Sequence, residues 1–330
     1  MQRVAINIVT FNSALNIDAC LASVLEQNYP SFSVTVLDNA SQDETRRRLS
    51  DWKARGVEVM ESGTNLYYAR AHNRLVARSN SELVLTLNPD VMLASTFLRN
   101  AVEAISDSQS IGSVNGKLLL SEAPRLDPAQ LKYPDHGLID SAGLMMYRSR
   151  RPYLRGYRQP SRSTCLESAA IFGADGACAL YRREMLESVA LDGAIFDPDF
   201  VMYREDVDLA WRGQIMGWDT VYTPDSVGVH VRGFQLGRER RRMPGVLRRH
   251  SVANGWLLLL KHESLGELAR SWRHVVPYQA RIALGMAATE PSSLPAMLDV
   301  LKLMPRAMRH RRMIEAGRKR SSEQLRHWFE

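Results

Sequence analysis

Between Glu82 and Asp90 the chain reads Glu-Leu-Val-Leu-Thr-Leu-Asn-Pro-Asp, and no other stretch constrains the fold as tightly. Leu83 to Leu87 is a short apolar run, the pattern of a strand buried on both faces of a sheet. Pro89 has no N–H and disfavours helix at Asn88, so the strand must end there in a tight turn. The turn carries Asp90 past the carboxyl end of a buried strand, where open α/β sheets hold their ligands. Taken alone, the stretch fits equally well an aspartate capping the helix that follows from about Ser95.

The residues before it repeat the same plan. Arg3–Val9 is β-branched and apolar and runs into Thr10-Phe11-Asn12; Phe32–Leu37 runs into Asp38-Asn39-Ala40-Ser41-Gln42-Asp43. Val57–Glu61 is a third strand, followed by Ser62-Gly63-Thr64-Asn65. Helical spacing over Asn16–Gln27, Glu44–Ala54 and Tyr67–Arg78 separates these strands. Strands alternating with helices mean βαβ units and a mostly parallel sheet with four polar loops along one edge. The first strand is followed by no glycine, so the G-x-G-x-x-G of a dinucleotide-binding fold is absent, as is a phosphate-loop motif.

Further along, Ser95–Ser106 reads as helix and Ile111–Leu120 as strand, while residues 121–165 carry five prolines and read as a long irregular excursion. Ile171–Leu180 places Gly173, Asp175 and Gly176 before another strand, where small residues let the backbone approach a ligand closely or form a plain turn, the two fitting equally well. Phe196–Arg212 is the most acidic stretch. Its apolar spacing gives a helix ending at Gly217, with Glu205 and Asp206 at the N-terminus, where the helix dipole favours a carboxylate. Capping accounts for one acid there but not for Glu205, Asp206 and Asp208 together. Asp219–Thr223 and Val227–Val231 read as two short strands, the second carrying His230.

Charge separates the rest. Residues 1–230 hold 23 Lys and Arg against 28 Asp and Glu, a net of −5, whereas residues 231–330 hold 20 against 8, a net of +12. The basic part contains an Arg-rich segment, Gly233–Met243, then helical patterns at about 245–262, 265–288, 295–315 and 318–329, which Pro277, Pro291, Pro295 and Pro305 are expected to break or kink. Arginines interspersed with Leu, Trp and Met suit helices lying on an anionic bilayer surface. No run approaches the ~18 apolar residues of a membrane span. Apolar residues after Arg3 extend only to Val9, so no signal peptide is expected. Three dispersed cysteines indicate neither a zinc site nor a disulfide framework, and the reducing cytoplasm is the default.

Taken in order, Val9-Thr10-Phe11-Asn12, Asp38–Asp43, Asn65…Asn73, Leu87-Asn88-Pro89-Asp90, Gly173…Gly176, Met202–Leu209 and His230 resemble the family 2 inverting glycosyltransferases of GT-A fold, in particular bacterial rhamnosyltransferase-like enzymes. The resemblance covers roughly residues 3–262. It implies a GT-A (Rossmann-like) mixed, mostly parallel sheet flanked by helices: a catalytic domain over 1–235 and a basic helical region over 236–330.

The resemblance also assigns roles. Thr10, Asn12, Asp38, Asn65, Arg70, Asn88 and Asp90 would hold the donor nucleotide, and Asp175, Gly176 and Trp211 would contact donor sugar or acceptor. Asn88-Pro89-Asp90 is similar to the family's Asp-x-Asp motif, with Asp90 and His230 as ligands of a divalent cation, Mg²⁺ or Mn²⁺. Asp206 would be the catalytic base and Glu205 its neighbour at the acceptor, with the helix terminus keeping Asp206 ionised at some loss of basicity. The implied donor is a nucleotide sugar, dTDP-rhamnose first and a UDP-sugar second. The implied acceptor is a saccharide or polyprenyl-diphosphate-saccharide of cell-wall or polysaccharide synthesis at the inner membrane face. Tyr67 and Leu75 stand where the family often has glycine, and Asn88 replaces the first acid of the motif. A sugar-nucleotide nucleotidyltransferase is a remoter alternative, lacking its glycine-rich basic first loop, and no nucleic acid partner is expected because aromatics are sparse among the C-terminal arginines.

Overall fold

The computed structural model describes residues 1–121, 123–132, 136–232 and 244–329. The Arg-rich segment 233–243, and with it the expected domain boundary, lies outside the described residues. Elements follow in the order β1 (Val4–Thr10), α1 (Ile17–Leu25), β2 (Phe32–Asp38), α2 (Thr45–Lys53), β3 (Glu58–Glu61), α3 (Tyr67–Val76), β4 (Leu83–Leu87), β5 (Val91–Leu93), α4 (Phe97–Ser106) and β6 (Ile111–Leu120). Next come β7 (Ile139–Ser141), β8 (Leu144–Met146), β9 (Pro152–Leu154), β10 (Ala169–Ala170), β11 (Cys178–Arg182), α5 (Arg183–Ser188), α6 (Glu205–Ile215) and β12 (Asp219–His230). The chain closes with α7 (Gly245–His262), α8 (Leu265–Thr289), α9 (Ala296–Ala316) and α10 (Ser322–Leu325).

The sheet runs in the order β10-β12-β6-β11-β4-β1-β2-β3. β4, β1, β2 and β3 are parallel neighbours, β11 is antiparallel to both β4 and β6, and β12 runs parallel to β6. Burial explains the apolar runs: every residue of β4 is buried, with Leu83, Leu85 and Leu87 packed into a core with Ile6 and Ile8 of β1, Val36 of β2 and Leu98 of α4, and Val84 in a second apolar cluster on the other face. In-register pairing aligns Thr10 with Asp38 and Asp38 with Glu61, so the polar loops emerge along one edge as the alternation required.

Two local expectations change. β5 was not anticipated; only three residues long, it pairs antiparallel to β12 and puts Val91 opposite His230. The two strands expected over 219–231 are one, with an irregularity between Tyr222 and Val227 that absorbs Pro224. At the C-terminus α8 runs through Pro277 and α9 through Pro305, both at exposed positions, so of the four prolines only Pro291 and Pro295 lie between two of these α-helices. Val252, Leu257, Met286, Val300 and Ile314 of these helices share one apolar core with Phe172, Phe200, Val207 and Trp211. The helical region is thereby packed directly against α6.

Candidate active site

The β1 and β2 ends place Thr10 and Asp38 side by side, both fully buried. Asp38 Oδ2 accepts from Ser41 N (3.2 Å) and Arg46 Nε (2.8 Å), but Asp38 Oδ1 and Thr10 Oγ1 have no hydrogen-bond partner. Buried polar atoms are nearly always paired; a polar ligand over this edge would complete them. Neighbouring loops are fixed by asparagines. Asn12, in a left-handed conformation (φ 51°), accepts from Gln42 N, and Asn39 donates to Asn65 Oδ1 (2.8 Å) and accepts from Leu66 N (2.7 Å). Arg70 is exposed on α3.

At the end of β4, Asn88 N donates to Ala177 O (2.8 Å), joining the Asn-Pro-Asp turn to the Gly173–Gly176 loop. The turn feeds β5, whose pairing with β12 brings Asp90 Oδ1 to 3.4 Å from His230 Nε2. Asp90 Oδ1 is buried and accepts no hydrogen bond. His230 Nδ1 lies 2.8 Å from Asp140 Oδ2, and Asp140 is also bonded by Arg232. Burial opposes charge on His230, but the hydrogen bond with Asp140 and the negative charges of Asp140 and Asp90 push its pKa up to about 10. Among the described residues no group of three or more His, Cys, Asp or Glu forms a closed cage. One orphaned carboxylate oxygen beside an imidazole oriented by a second carboxylate nevertheless fits a cation that keeps waters and takes most of its remaining ligands from phosphate.

α6 begins after two residues in left-handed conformation, Tyr203 and Arg204 (both φ 70°), a costly backbone that redirects the chain into the helix. Asp206 then accepts from Gly176 N through Oδ2 (3.2 Å) and from Val207 N through Oδ1 (2.8 Å). A Cβ on Gly173 would fall 2.2 Å from Ala210 Cβ, so this glycine permits close packing of the loop on α6. At Gly176 the nearest atoms are Tyr68 Oη and Asp206 itself. These glycines serve packing against α6 and Tyr68, where the sequence also allowed contact with a ligand.

The backbone amides at the helix terminus do lower the basicity of Asp206, but other effects outweigh them. Burial and then the charge of Asp175 raise its pKa from 3.8 to about 6, more than its backbone hydrogen bonds lower it. Burial, followed by the charge of Asp206, holds Glu205 well above the usual carboxylate range. Asp208 is lowered instead: burial opposes ionisation, but Lys261, Arg212 and His262 surround it. The three acids thus divide into two held by the protein as weak acids and one held as a permanent anion.

A cleft of about 1270 Å³ gathers Asn88, Asp175, Gly176, Glu205, Asp206 and His230. Thr10 and Asp38 end β1 and β2, and Asn12 and Asn65 stand in the loops beyond β1 and β3, at the same sheet edge. Trp211 is not in the cleft; it is 3% exposed and stacks on His262 (ring centroids 4.9 Å) inside the core shared with the C-terminal helices. Its position on α6 turns it away from Asp206, since residues five apart in a helix lie some 140° apart. Sequence reasoning missed Asp140, Arg232 and Asn254. Asp140 sits in an irregular segment with no periodic pattern, and Asn254 is a mid-helix asparagine that nothing local distinguishes.

Residues 5–190 match the domain described as glycosyl transferase family 2. An N-acetylglucosaminyl-diphospho-decaprenol L-rhamnosyltransferase of Mycobacterium tuberculosis is 27% identical over 245 residues, covering 70% of this chain and 76% of that protein. Among solved structures, GalNAc-T7 with UDP, GalNAc and Mn²⁺ superposes with a TM-score of 0.67 at 14% identity, covering 99% of this chain but only 57% of that one. A mannosyltransferase from Pyrobaculum calidifontis in complex with GDP-Man and Mn²⁺ gives 0.53 at 20% identity, covering 98% and 87%. The fold is that of the GT-A glycosyltransferases, and with more than half of its length matched the chain belongs to glycosyl transferase family 2.

Proposed function

We propose that the protein is an inverting glycosyltransferase that moves a sugar, rhamnose from dTDP-rhamnose, onto a polyprenyl-diphosphate-linked saccharide in cell-wall polysaccharide synthesis. The observation that carries the reading is Asp206: a carboxylate at the head of α6, anchored by Gly176 N and facing a large cleft, with its pKa near 6. A base of that strength is mostly ionised at neutrality, yet basic enough to take the proton of an attacking hydroxyl. One carboxylate acting this way, without a covalent intermediate, inverts the anomeric centre.

The unpaired atoms of Thr10 and Asp38 receive ribose and base, with Asn12 and Asn65 shaping the loops around them and Arg70 beside the nucleotide. Asp90 and His230 would hold a divalent cation, whose charge offsets that of the leaving diphosphate. Asp175 and Gly176 flank the reacting sugar, and Glu205, made a weaker acid by burial and by Asp206, stands at the acceptor. A UDP-sugar donor is the second reading, favoured by the UDP in the GalNAc-T7 structure.

Residues 236–330 act in this reading as the membrane-facing region at the cytoplasmic side. Among the described residues no helix is long and apolar enough to cross a membrane. α8 does expose Leu265 (82%), Trp272 (52%), Val276 (50%) and Leu284 (71%), with Arg270, Arg273 and Arg281 also exposed. Such a face fits peripheral contact with anionic lipid.

The deciding experiment has two arms. Thermal shifts with dTDP, UDP and GDP, each with Mn²⁺, rank the nucleotides, because stabilisation reports affinity. Transfer from dTDP-rhamnose to a lipid-linked acceptor then tests the reaction. Full activity in Asp206→Asn would sink the mechanism.

A further inference from the structure

The cleft is larger than the reacting groups need, and its second half is built differently from the first. Beyond Asp206 the walls are Val252 and Trp256 of α7 and Tyr278, Ile282 and Met286 of α8. α8 is a 25-residue helix in which only Glu267, Val275 and Met286 are buried. At 3.6 residues per turn, Tyr278, Ile282, Met286 and Thr289 share one face, while Leu265, Trp272, Val276 and Leu284 point to the other side. The first face looks into the cleft and the second into solvent. Val252 and Met286 back this wall from the core while Trp256 and Ile282 stay partly exposed, and a partly exposed apolar wall suits a hydrophobic ligand better than a bare saccharide, whose hydroxyls it would leave unpaired.

The rim carries cations. Arg281 lies over the Tyr278 ring (5.5 Å) and Arg151 over the Tyr147 ring (6.0 Å), and neither forms an ion pair with a described carboxylate. Both line this cleft. The acids of the same arm are accounted for: Glu290 pairs with Arg248 (3.4 Å), and burial together with Asp206 keeps Glu205 a weak acid. Guanidinium groups of this kind match phosphate oxygens in geometry as well as charge.

We infer that the α7–α8 arm of the cleft is a subsite for a prenyl diphosphate, with Arg151 and Arg281 on the diphosphate and the partly exposed Trp256 and Ile282 on the first isoprenoid units. The inference rests on the glycosyltransferase reading only for its orientation, the acceptor sugar lying toward Asp206. The subsite itself is defined by the apolar wall and its paired arginines.

Calorimetric titration of the full chain with farnesyl diphosphate, in EDTA and without donor, tests it; inorganic diphosphate is the comparison ligand. Farnesyl diphosphate is expected to bind at least about tenfold more tightly than inorganic diphosphate, through the added apolar contact. Arg281→Ala is expected to weaken farnesyl diphosphate by about tenfold, the loss of one charge-assisted contact. Ile282→Ser is expected to weaken farnesyl diphosphate and leave inorganic diphosphate unchanged. Both variants should keep the parent's thermal shift with nucleotide diphosphate and Mn²⁺, which shows the donor half intact. Equal affinity for the two ligands, or unchanged farnesyl diphosphate binding in both variants, overturns the subsite. Loss of farnesyl diphosphate binding in the variants, with no nucleotide response in the parent, would sustain the subsite and remove the donor reading instead.

Discussion

Asn254 Nδ2, on α7, donates to the carbonyl of Tyr203 across 2.7 Å and to that of Met202 across 2.9 Å. Asn254 is fully buried, and the carbonyls it holds belong to the turn whose left-handed residues launch α6. A C-terminal helix thus sets the backbone on which Glu205 and Asp206 stand. Asn254→Leu, similar in size but without donors, is expected to cost about 1–3 kcal/mol in urea unfolding. It should also lower kcat by up to about 10²-fold through misplacement of Asp206. Nucleotide binding, at the far end of the sheet edge, should be unchanged; an equal loss there would show global damage rather than loss of positioning.

Asp206 links activity and stability with opposite signs. In its proposed role as base it must be ionised, so kcat/KM should fall as pH drops below about 6. Its raised pKa means the folded state binds the proton more tightly than the unfolded chain. The stability it contributes is therefore full below about 3.8 and lost as pH rises through about 6. Asp206→Asn removes that penalty. The variant should lack transfer activity yet be more stable than the parent at pH 8, on the order of 2–3 kcal/mol, with the difference vanishing near pH 3.5. Paired urea titrations at the two pH values measure it.

Asp140 orients His230 without reaching the cleft itself. Replacing a carboxylate that supports a ligating imidazole typically costs about 10–100-fold in metal affinity. Asp140→Asn should therefore shift the Mn²⁺ dependence of nucleotide stabilisation to higher concentration by that factor. Asp90→Ala should abolish the dependence. If both variants respond to Mn²⁺ like the parent, the Asp90–His230 assignment is wrong.

Lys261 looks like part of a basic membrane face in the sequence but is buried between Asp197 (2.7 Å) and Asp208 (2.5 Å). Removing one member of a buried ion network typically costs about 3–5 kcal/mol, because the other charges stay behind. Lys261→Met should show that loss in denaturant. Arg273→Glu, on the exposed part of α8, should leave stability within about 0.5 kcal/mol. Its effect should appear instead as weakened co-sedimentation with anionic vesicles relative to neutral ones.

The parallel half of the sheet was legible because strands buried on both faces, such as Leu83–Leu87, cannot be mistaken for surface segments. The acids at the head of α6 were legible too, since capping alone does not call for three of them. What escaped depends on distant partners. Arg249 bonds to Asp299 and Arg306 to Asp199, so much of the basic C-terminal charge is spent internally, which composition cannot reveal. Trp211 failed as a ligand-facing residue because nothing in the helix pattern announced that α7 and the Trp328 turn would cover that side of α6. β5 escaped because three residues carry no period.

The pairing of β12 with β6, β10 and β5 has a consequence for how the protein comes into being. A chain made from its N-terminus completes its first four parallel strands early but waits for residues 219–230 before β6 is covered along its length. Until then β6 presents an open strand edge, the kind of surface on which chains aggregate. The same late strand brings His230 to Asp90. Protection of the nascent sheet and the meeting of Asp90 with His230 are therefore a single event, and no half-made molecule can have one without the other.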